Sequence, residues 1–256
     1  MKLHCLGTAG YHPSETRHTA SYFIPECSLL LDAGSGMFRL QSLIETPELS
    51  ILLSHAHLDH VLGLTFFWDL VSGTPLERIH VYGERQKIRD LQQHLFHPSL
   101  FPAKPPLVWH ALEECGETFG LGQVRCSWFP LEHPGGCVGY RLQLPGVSLA
   151  YVTDTTSRPD SPYWQSIQGV DWLLHECNFA DPQRELAIQT GHSWTSAVLE
   201  NAAMHGVQRL ILAHVNPLAN DPDPVDLAGA TARLGKNTPN QIFLANDSSV
   251  IDLSSL

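Results

Sequence analysis

Four potential metal ligands lie within six consecutive residues of this chain: His55, His57, Asp59 and His60. The apolar run before them, 51–53, predicts a buried strand, and the apolar stretch after them, 61–70, predicts the start of a helix. The four side chains therefore follow the carboxyl end of a strand, where a rigid scaffold can hold polar groups in a common direction.

Imidazole and carboxylate groups suit zinc, and also iron or manganese. Residues two apart on an extended chain point to the same side, so His55 and His57 can bind one ion. Asp59 and His60 come after the turn and can reach a second ion. A chance cluster of histidines on a polar loop is the alternative. Because histidine is the commonest metal ligand, the dense cluster behind a buried strand favours a metal site.

The composition is that of an acidic globular protein. Of the 256 residues, 43% are hydrophobic and 16% are charged, and the formal net charge is −11. This charge argues against a broad electrostatic surface for nucleic acid, which needs clustered Lys and Arg. The length allows one large domain or two closely packed halves, and we expect a single domain over residues 1–256.

We see no signal peptide at the N-terminus, and no apolar run approaches the length of a membrane span. We therefore expect a cytoplasmic protein with no membrane interaction. The six cysteines include no C-x-x-C pair, so we expect neither a cysteine zinc site nor a disulfide framework.

Polar residues recur at the ends of the predicted strands: Asp32, the cluster at 55–60, His133, Asp154, His175 and His214. Helices are predicted at 37–46, 84–95, 193–205 and 223–234, with Ser193 or Thr195 as the cap of the third. Two runs of strands, each with helices, predict two sheets packed face to face with helices outside. Asp32 suits two roles equally, orienting a ligand histidine or forming an Asx turn.

A dinuclear site needs about six or seven protein ligands. The predicted ligands of one ion are His55, His57 and His133, and those of the other are Asp59, His60 and His214. Asp154 can bridge the ions, since a carboxylate has two oxygens. Taken singly, the residues after the cluster also suit structural roles, in a turn, a helix cap or the core. Their common position at strand ends favours the metal site.

The segment His55-Ala-His57-Leu-Asp59-His60 resembles the H-x-H-x-D-H signature of the metallo-β-lactamase superfamily. The order of the later ligands is also similar to that family, and the resemblance extends from Gly7-Thr-Ala-Gly10 to Phe243-Leu-Ala-Asn-Asp247. It implies an α+β fold, a four-layer αββα sandwich with the metals at one edge. It also implies two divalent metal ions, which we expect to be zinc, with manganese or iron as alternatives.

Within the superfamily the chain resembles the ribonuclease Z-like branch. Leu173-Leu-His175-Glu176-Cys177 is similar to its H-E-A-T segment, and Thr190-Gly-His192-Ser193-Trp194-Thr195 is similar to its H-S-T loop. This resemblance implies that His192 is a general acid or oxyanion stabiliser rather than a metal ligand. It also suggests that Glu176 orients His192 and that Asp59 helps to position the attacking water.

One departure from ribonuclease Z concerns RNA. That enzyme usually carries an arm that grips transfer RNA, inserted between the positions equivalent to His133 and Asp154. Here these positions are 21 residues apart, the gap is filled by a tight hairpin, and no basic arm is present. The layout is more similar to small-substrate phosphodiesterases, although their frequent N-terminal cysteine zinc site is also missing. We expect a small phosphodiester rather than RNA, and the branch suggests a homodimer.

The sequence thus predicts a dinuclear metal-dependent phosphodiesterase in which a metal-bridging hydroxide attacks the phosphodiester. One alternative is a carbonyl hydrolase on the same fold, acting on a lactone, thioester or β-lactam; the His192-Ser193 loop argues against it. Another alternative is a non-catalytic metal-binding scaffold. The complete ligand set argues against it, because a scaffold has no need to keep all of the ligands. Segment 66–106, rich in Trp, Phe, His and Pro, is expected to select the substrate.

Overall fold

The first of two seven-stranded sheets is built from the N-terminal half of the chain and its last strand. The computed structural model describes residues 1–103, 105–219 and 221–254. The strands of this sheet are β1 (Lys2–Gly7), β2 (Ser21–Ile24), β3 (Leu29–Leu31), β4 (Glu48–Leu52), β5 (Arg78–Gly83), β6 (Leu107–Ala111) and β14 (Val250–Asp252). Their spatial order is β14-β1-β2-β3-β4-β5-β6, antiparallel as far as β3 and parallel from β3 to β6.

The second sheet repeats this division into an antiparallel and a parallel half. Its strands are β7 (Thr118–Leu121), β8 (Val124–Leu131), β9 (Cys137–Leu144), β10 (Val147–Val152), β11 (Trp172–Glu176), β12 (Arg209–Ala213) and β13 (Gln241–Leu244). The order is β13-β12-β11-β10-β9-β8-β7, with parallel pairing from β10 to β13. The turn at 145–146 joins β9 to β10 directly, because antiparallel neighbours need only a short connection.

Helices connect the strands and cover the outer faces of both sheets. They are α1 (Leu58–Val61), α2 (Phe67–Val71), α3 (Arg85–Asp90), α4 (Leu112–Cys115), α5 (Tyr163–Ser166), α6 (Arg184–Thr190), α7 (Thr195–Met204) and α8 (Leu227–Leu234). The 3₁₀ helices are Pro25–Cys27, Ser35–Leu43, Leu62–Phe66 and Asp181–Gln183, and a π-helical turn, Leu91–Leu95, continues α3. Over the described ranges, none of the helices combines the length and apolar character that crossing a membrane requires.

Buried apolar residues form three layers of core. One layer lies between the sheets and includes Leu31, Tyr140 and Leu174. The second lies under the helices of the first sheet, and the third packs the second sheet against α7 and α8. Three apolar interfaces require four layers, so the predicted αββα sandwich is confirmed.

The helices differ from the sequence prediction in their bounds and caps. The predicted helix at 37–46 is the 3₁₀ helix Ser35–Leu43, and the predicted helix at 193–205 is α7. The predicted cap is wrong, because Trp194 occupies the cap position and no side chain caps the helix. The Ser193 hydroxyl instead donates to the carbonyl of Thr155 at 2.7 Å. Helices α5 and α6 were not predicted, since they are too short to show a clear 3.6-residue period.

Candidate metal centre

The predicted ligands come together at one edge of the sandwich, where strands of both sheets end. Their donor atoms form groups in which all members lie within 4.8 Å of one another. Two of these groups are His55 with His57 and His133, and Asp59 with His60 and His214. They are the same two triplets that the sequence predicts for the two ions, and three further groups combine members of these triplets with Asp154, His192 and Glu176.

Asp154, directly after β10, lies between the two triplets. Its Oδ2 is 3.1 Å from Nε2 of His60 and 3.5 Å from Nε2 of His214. Its Oδ1 is 3.8 Å from Nε2 of His133. The residue has a φ of +46°, a strained value for a side chain other than glycine, and such strain is concentrated at functional sites. Asp154 is therefore placed to contact ligands of both ions.

Asp32 fixes the orientation of His60. Its fully buried carboxylate accepts a hydrogen bond from Nδ1 of His60 at 2.7 Å. The same carboxylate accepts bonds from the amide of Ser54 at 2.7 Å and the hydroxyl of Tyr151 at 2.6 Å. These bonds place the proton of His60 on Nδ1 and leave Nε2 free to face Asp154. Of the two roles considered for Asp32, the geometry supports the orienting one.

His55 and His133 are oriented in the same way. The hydroxyl of Ser54 donates to Asp32 at 2.7 Å and accepts from Nδ1 of His55 at 3.0 Å. Nδ1 of His133 donates to the carbonyl of Gly191 at 3.2 Å. Nε2 of His55 is then left buried without any hydrogen-bond partner. A buried polar atom without a partner is rare, and a lone pair aimed at other imidazoles fits a metal ligand.

The protonation states also suit metal binding. Burial lowers the pKa of His55 well below its usual value and lowers the pKa of His57 and His133, so these rings keep a free lone pair. Burial alone would raise the pKa of Asp154, but the neighbouring His214 and other histidines lower it well below its usual value. The three neutral imidazoles of His55, His57 and His133 are a donor set that fits a divalent metal ion. At His60, burial is outweighed by Asp154, Asp59 and Asp32, whose carboxylates raise the pKa of that ring well above its usual value.

His192 approaches the same cluster but is held by a different carboxylate. Its Nδ1 is 3.1 Å from Oε1 of Glu176 and 3.8 Å from Oδ1 of Asp154. Burial lowers the pKa of His192, but Glu176 and other carboxylates outweigh this and raise it to about 9. The ring keeps 16% of its surface exposed, so a protonated imidazole is open to the cleft.

Glu176, at the end of β11, is a buried acceptor for several backbone amides. Oε1 accepts hydrogen bonds from the amides of Thr155 and Ser193, each at 3.1 Å, and Oε2 accepts one from the amide of Asn178. The carboxylate therefore ties together the loops that carry Asp154 and His192. His175, the preceding residue, lies away from the cluster, where its Nε2 accepts a bond from the hydroxyl of Tyr163.

Four residues that contact this site were not predicted from the sequence. Ser54 lies inside the 51–60 stretch, directly before His55, and this position was an available signal. The side-chain amide of Asn178 contacts Nδ1 of His214 at 3.3 Å, and the backbone amide of Tyr11 donates to Asp59 at 2.7 Å. Tyr151 reaches Asp32 from the other sheet. The last three depend on tertiary structure and have no local sequence pattern.

Segment 66–106 contributes to the core as well as to the surface. Phe67 and Phe96 are buried in the layer beneath the helices of the first sheet, and the Phe96 ring packs 5.6 Å from that of Phe101. Trp68 is half exposed. Among these four aromatic residues, Trp68 has the most surface available to contact a substrate.

The sequence matches the family model described as the β-lactamase superfamily domain over residues 28–215. A protein of Synechococcus sp. strain CC9605 named Ribonuclease Z is 36% identical over 318 residues, covering 99% of this chain and 98% of the relative. Since that alignment is longer than the 256 residues of this chain, the relative contains insertions that this chain lacks.

Solved structures share the fold at lower identity. The short form of human tRNase Z superposes with a TM-score of 0.73 at 20% identity, covering 99% of each chain. A diphosphatase of the PhnP family superposes with a TM-score of 0.71 at 20% identity, covering 98% of this chain and 96% of the other. At this identity the structures establish the fold alone. The family model and the Synechococcus relative establish more: the chain belongs to the metallo-β-lactamase superfamily, in its ribonuclease Z-like branch.

Proposed function

We propose that this protein is a dinuclear metal-dependent phosphodiesterase that hydrolyses small phosphodiesters. The observation that carries the proposal is the His192–Glu176 pair, which places an imidazole, oriented by a buried carboxylate, beside the predicted metal ligands. A general acid at this position suits a reaction in which an alkoxide leaves phosphorus. The names of two similar proteins, a ribonuclease and a diphosphatase, also denote reactions at phosphorus.

The residues that would hold the metals are the two triplets, with Asp154 in contact with both. When bound there, the ions would supply Lewis acidity and lower the pKa of a coordinated water. Zinc is our proposed metal, with manganese or iron as alternatives, because the donors are imidazoles and carboxylates. The fit of the site rests on the unpartnered Nε2 of His55 and on the Nδ1 bonds that orient its neighbours.

His192 would act on the leaving group. Its Nδ1 donates to Glu176, so the N–H at Nε2 is left for the substrate. Transfer of that proton to the departing oxygen yields an alcohol and a neutral imidazole, which Glu176 holds in the same orientation. Asp59 is fixed by the amide of Tyr11 at 2.7 Å, and we propose that its carboxylate helps to orient the attacking water.

The absence of an RNA-binding arm supports a small substrate. Between His133 and Asp154 the described chain forms only β9, β10 and the two-residue turn that joins them. The net charge of −11 provides little attraction for a polyanion. The proposed partner is therefore a small phosphodiester, and RNA is the competing substrate to be tested.

Hydrolysis of bis(p-nitrophenyl) phosphate by zinc- or manganese-loaded protein tests the reaction. We expect clear turnover that falls about a hundredfold or more in His192→Ala, because a general acid contributes at least that factor. Metal content should be unchanged in this variant, since His192 is not a proposed ligand. His205→Ala is the matched control: His205 stacks on Trp164, with ring centroids 4.8 Å apart, on the outer side of the second sheet.

Other outcomes identify the alternatives. Turnover of a lactone or thioester without turnover of the phosphodiester would replace the proposal with a carbonyl hydrolase. Metal binding without turnover of any substrate class would replace it with a metal-binding scaffold.

We also propose that residues 1–256 form one domain, since β14 pairs with β1 at the opposite end of the chain. The homodimer and the cytoplasmic location stay predictions.

A further inference from the structure

A cavity of about 900 Å³ lies beside α6, α7 and the segment 156–159. No predicted residue of the metal centre is among the described residues that line it. Two segments that begin at the metal centre nevertheless continue to this cavity, one from Asp154 and the other from His192. Ser193 joins these segments, because its hydroxyl accepts from the amide of Ser157 at 2.8 Å and donates to Thr155. The cavity is therefore a separate site that borders the loops of the metal centre.

The rim of the cavity is positive although the chain is acidic. Arg158, Arg184 and Lys236 line it, and Glu200 is the one carboxylate among its described lining residues. Arg158 lies 3.6 Å from Glu132 in a solvent-exposed pair, which is a weak interaction. In the part of the chain that the structure describes, Arg184 and Lys236 form no ion pair. Two cations are thus available to an anionic ligand.

The wall of the cavity adds a flat ring and neutral polar groups. Trp194 is partly exposed, with the guanidinium of Arg184 lying 5.1 Å from its ring centroid. Ser157 and Asn201 are buried and joined by a hydrogen bond of 3.1 Å. Met204 supplies an exposed apolar surface. A ligand that combines phosphate groups with a planar ring matches this surface, because guanidinium groups bind phosphate and indole stacks on flat rings.

We propose that this cavity binds an organic phosphate with an aromatic ring, such as a nucleotide, at a site distinct from the metal centre. Its volume lies within the range of small-molecule sites, roughly 300–1,000 Å³. The cationic rim would hold the phosphates, and the ring would stack on the flat surface that Arg184 and Trp194 form together. This proposal does not depend on which reaction the metal centre catalyses.

Calorimetric titration of the metal-loaded protein with ADP tests the proposal. We expect Lys236→Ala and Arg184→Ala each to weaken ADP binding about tenfold, the effect of losing one charge-assisted contact to phosphate. Arg78→Ala is the matched control, because Arg78 is an exposed cation on β5 of the first sheet, away from the cavity. It pairs with Glu48 of the same sheet at 3.5 Å. Pyrophosphate should bind more weakly than ADP, since it has no ring to stack on the Arg184–Trp194 pair.

Three results would overturn the proposal. Equal ADP affinity in the wild type and all three variants would place the nucleotide elsewhere, including at the metal centre. Pyrophosphate binding as tight as that of ADP would remove the role of the ring. No binding at about 1 mM ADP, a weak affinity for a small ligand, would show that the cavity is not a nucleotide site. None of these results bears on hydrolysis of the phosphodiester, so the two proposals fail separately.

Discussion

Individual hydrogen bonds decide which nitrogen of each histidine is available at the metal centre. His60, His55 and His133 each use Nδ1 for a protein acceptor, which is respectively the carboxylate of Asp32, the hydroxyl of Ser54 and the carbonyl of Gly191. The Nε2 atoms are thereby directed toward a common region before any ligand arrives. Such preorganisation strengthens metal binding, because the rings lose little further freedom on coordination.

Asp32→Asn should weaken metal binding without removing a ligand. The amide cannot accept all of the bonds that the carboxylate now receives from His60, Ser54 and Tyr151. We expect zinc affinity to fall about 10- to 100-fold, as is usual when an orienting partner is lost. Competition with a chromophoric chelator measures this change. Asp171→Asn is the control, because Asp171 accepts comparable bonds from Ser148 at the opposite end of β10; equal affinities in the two variants would contradict the orienting role.

Glu176→Gln should move the alkaline limb of the pH–rate profile toward lower pH. Glu176 is the main cause of the raised pKa of His192, about 9, and His192 must be protonated to act as an acid. Activity should therefore fall as pH rises through this pKa. Removing the negative charge of Glu176 should lower the pKa of His192 by about one unit or more. Profiles of kcat/KM with bis(p-nitrophenyl) phosphate measure the shift. Glu114→Gln, an exposed control, should leave the limb in place; an unchanged limb in Glu176→Gln would argue against the acid role.

At the scale of elements, the site is formed by loops that follow parallel strands of both sheets. β3 and β4 are parallel neighbours, and so are β10, β11 and β12, so their carboxyl ends meet at one edge. The loops after them carry Asp32, the 55–60 cluster, Asp154 and His214, and Glu176 is the last residue of β11. His133 is the exception, because it follows the antiparallel strand β8. Contacts between loops then hold the two halves of the site together, as the bond between the Gly10 amide and the Val215 carbonyl shows.

Gly10→Ala should disturb the loop after β12. A Cβ at this position would lie 2.7 Å from Nδ1 of His214 and 2.8 Å from Nδ2 of Asn178, closer than real contacts of this kind. We expect His214 to be displaced and the protein to retain one zinc ion instead of two, with lower activity. Metal analysis after dialysis gives the stoichiometry. Gly120→Ala on β7 is the control, because a Cβ there meets nothing within 4 Å; full zinc occupancy in Gly10→Ala would show that the loop can adjust.

For the whole molecule, the sequence predicted the features that depend on local patterns. The ligand triplets are dense in sequence or lie at strand ends, and alternating and apolar runs mark the strands. The role of Asp32 stayed open because it depends on Tyr151 from the other sheet. The cap of α7 was mispredicted because Ser193 is used in a tertiary bond to the Thr155 carbonyl instead. Long-range contacts of this kind leave no periodic signal along the chain.

Substrate size is also a property of the whole molecule. Between His133 and Asp154 the described chain has only a short β9–β10 turn in place of an extension, and the net charge of −11 disfavours a polyanion. We therefore expect precursor transfer RNA to bind more weakly than about 10⁻⁴ M at physiological salt, the weak limit of non-specific nucleic-acid binding. Small cyclic phosphodiesters should be hydrolysed in the same buffer.

The Synechococcus relative named Ribonuclease Z provides the matched control for this last prediction, since it aligns with nearly the whole of this chain and carries insertions besides. Both proteins would be loaded with the same metal and assayed with labelled precursor transfer RNA. Cleavage by the relative alone would assign RNA recognition to the inserted residues. Comparable cleavage by both would refute the small-substrate proposal and show that the sandwich itself can hold transfer RNA, even with an acidic surface.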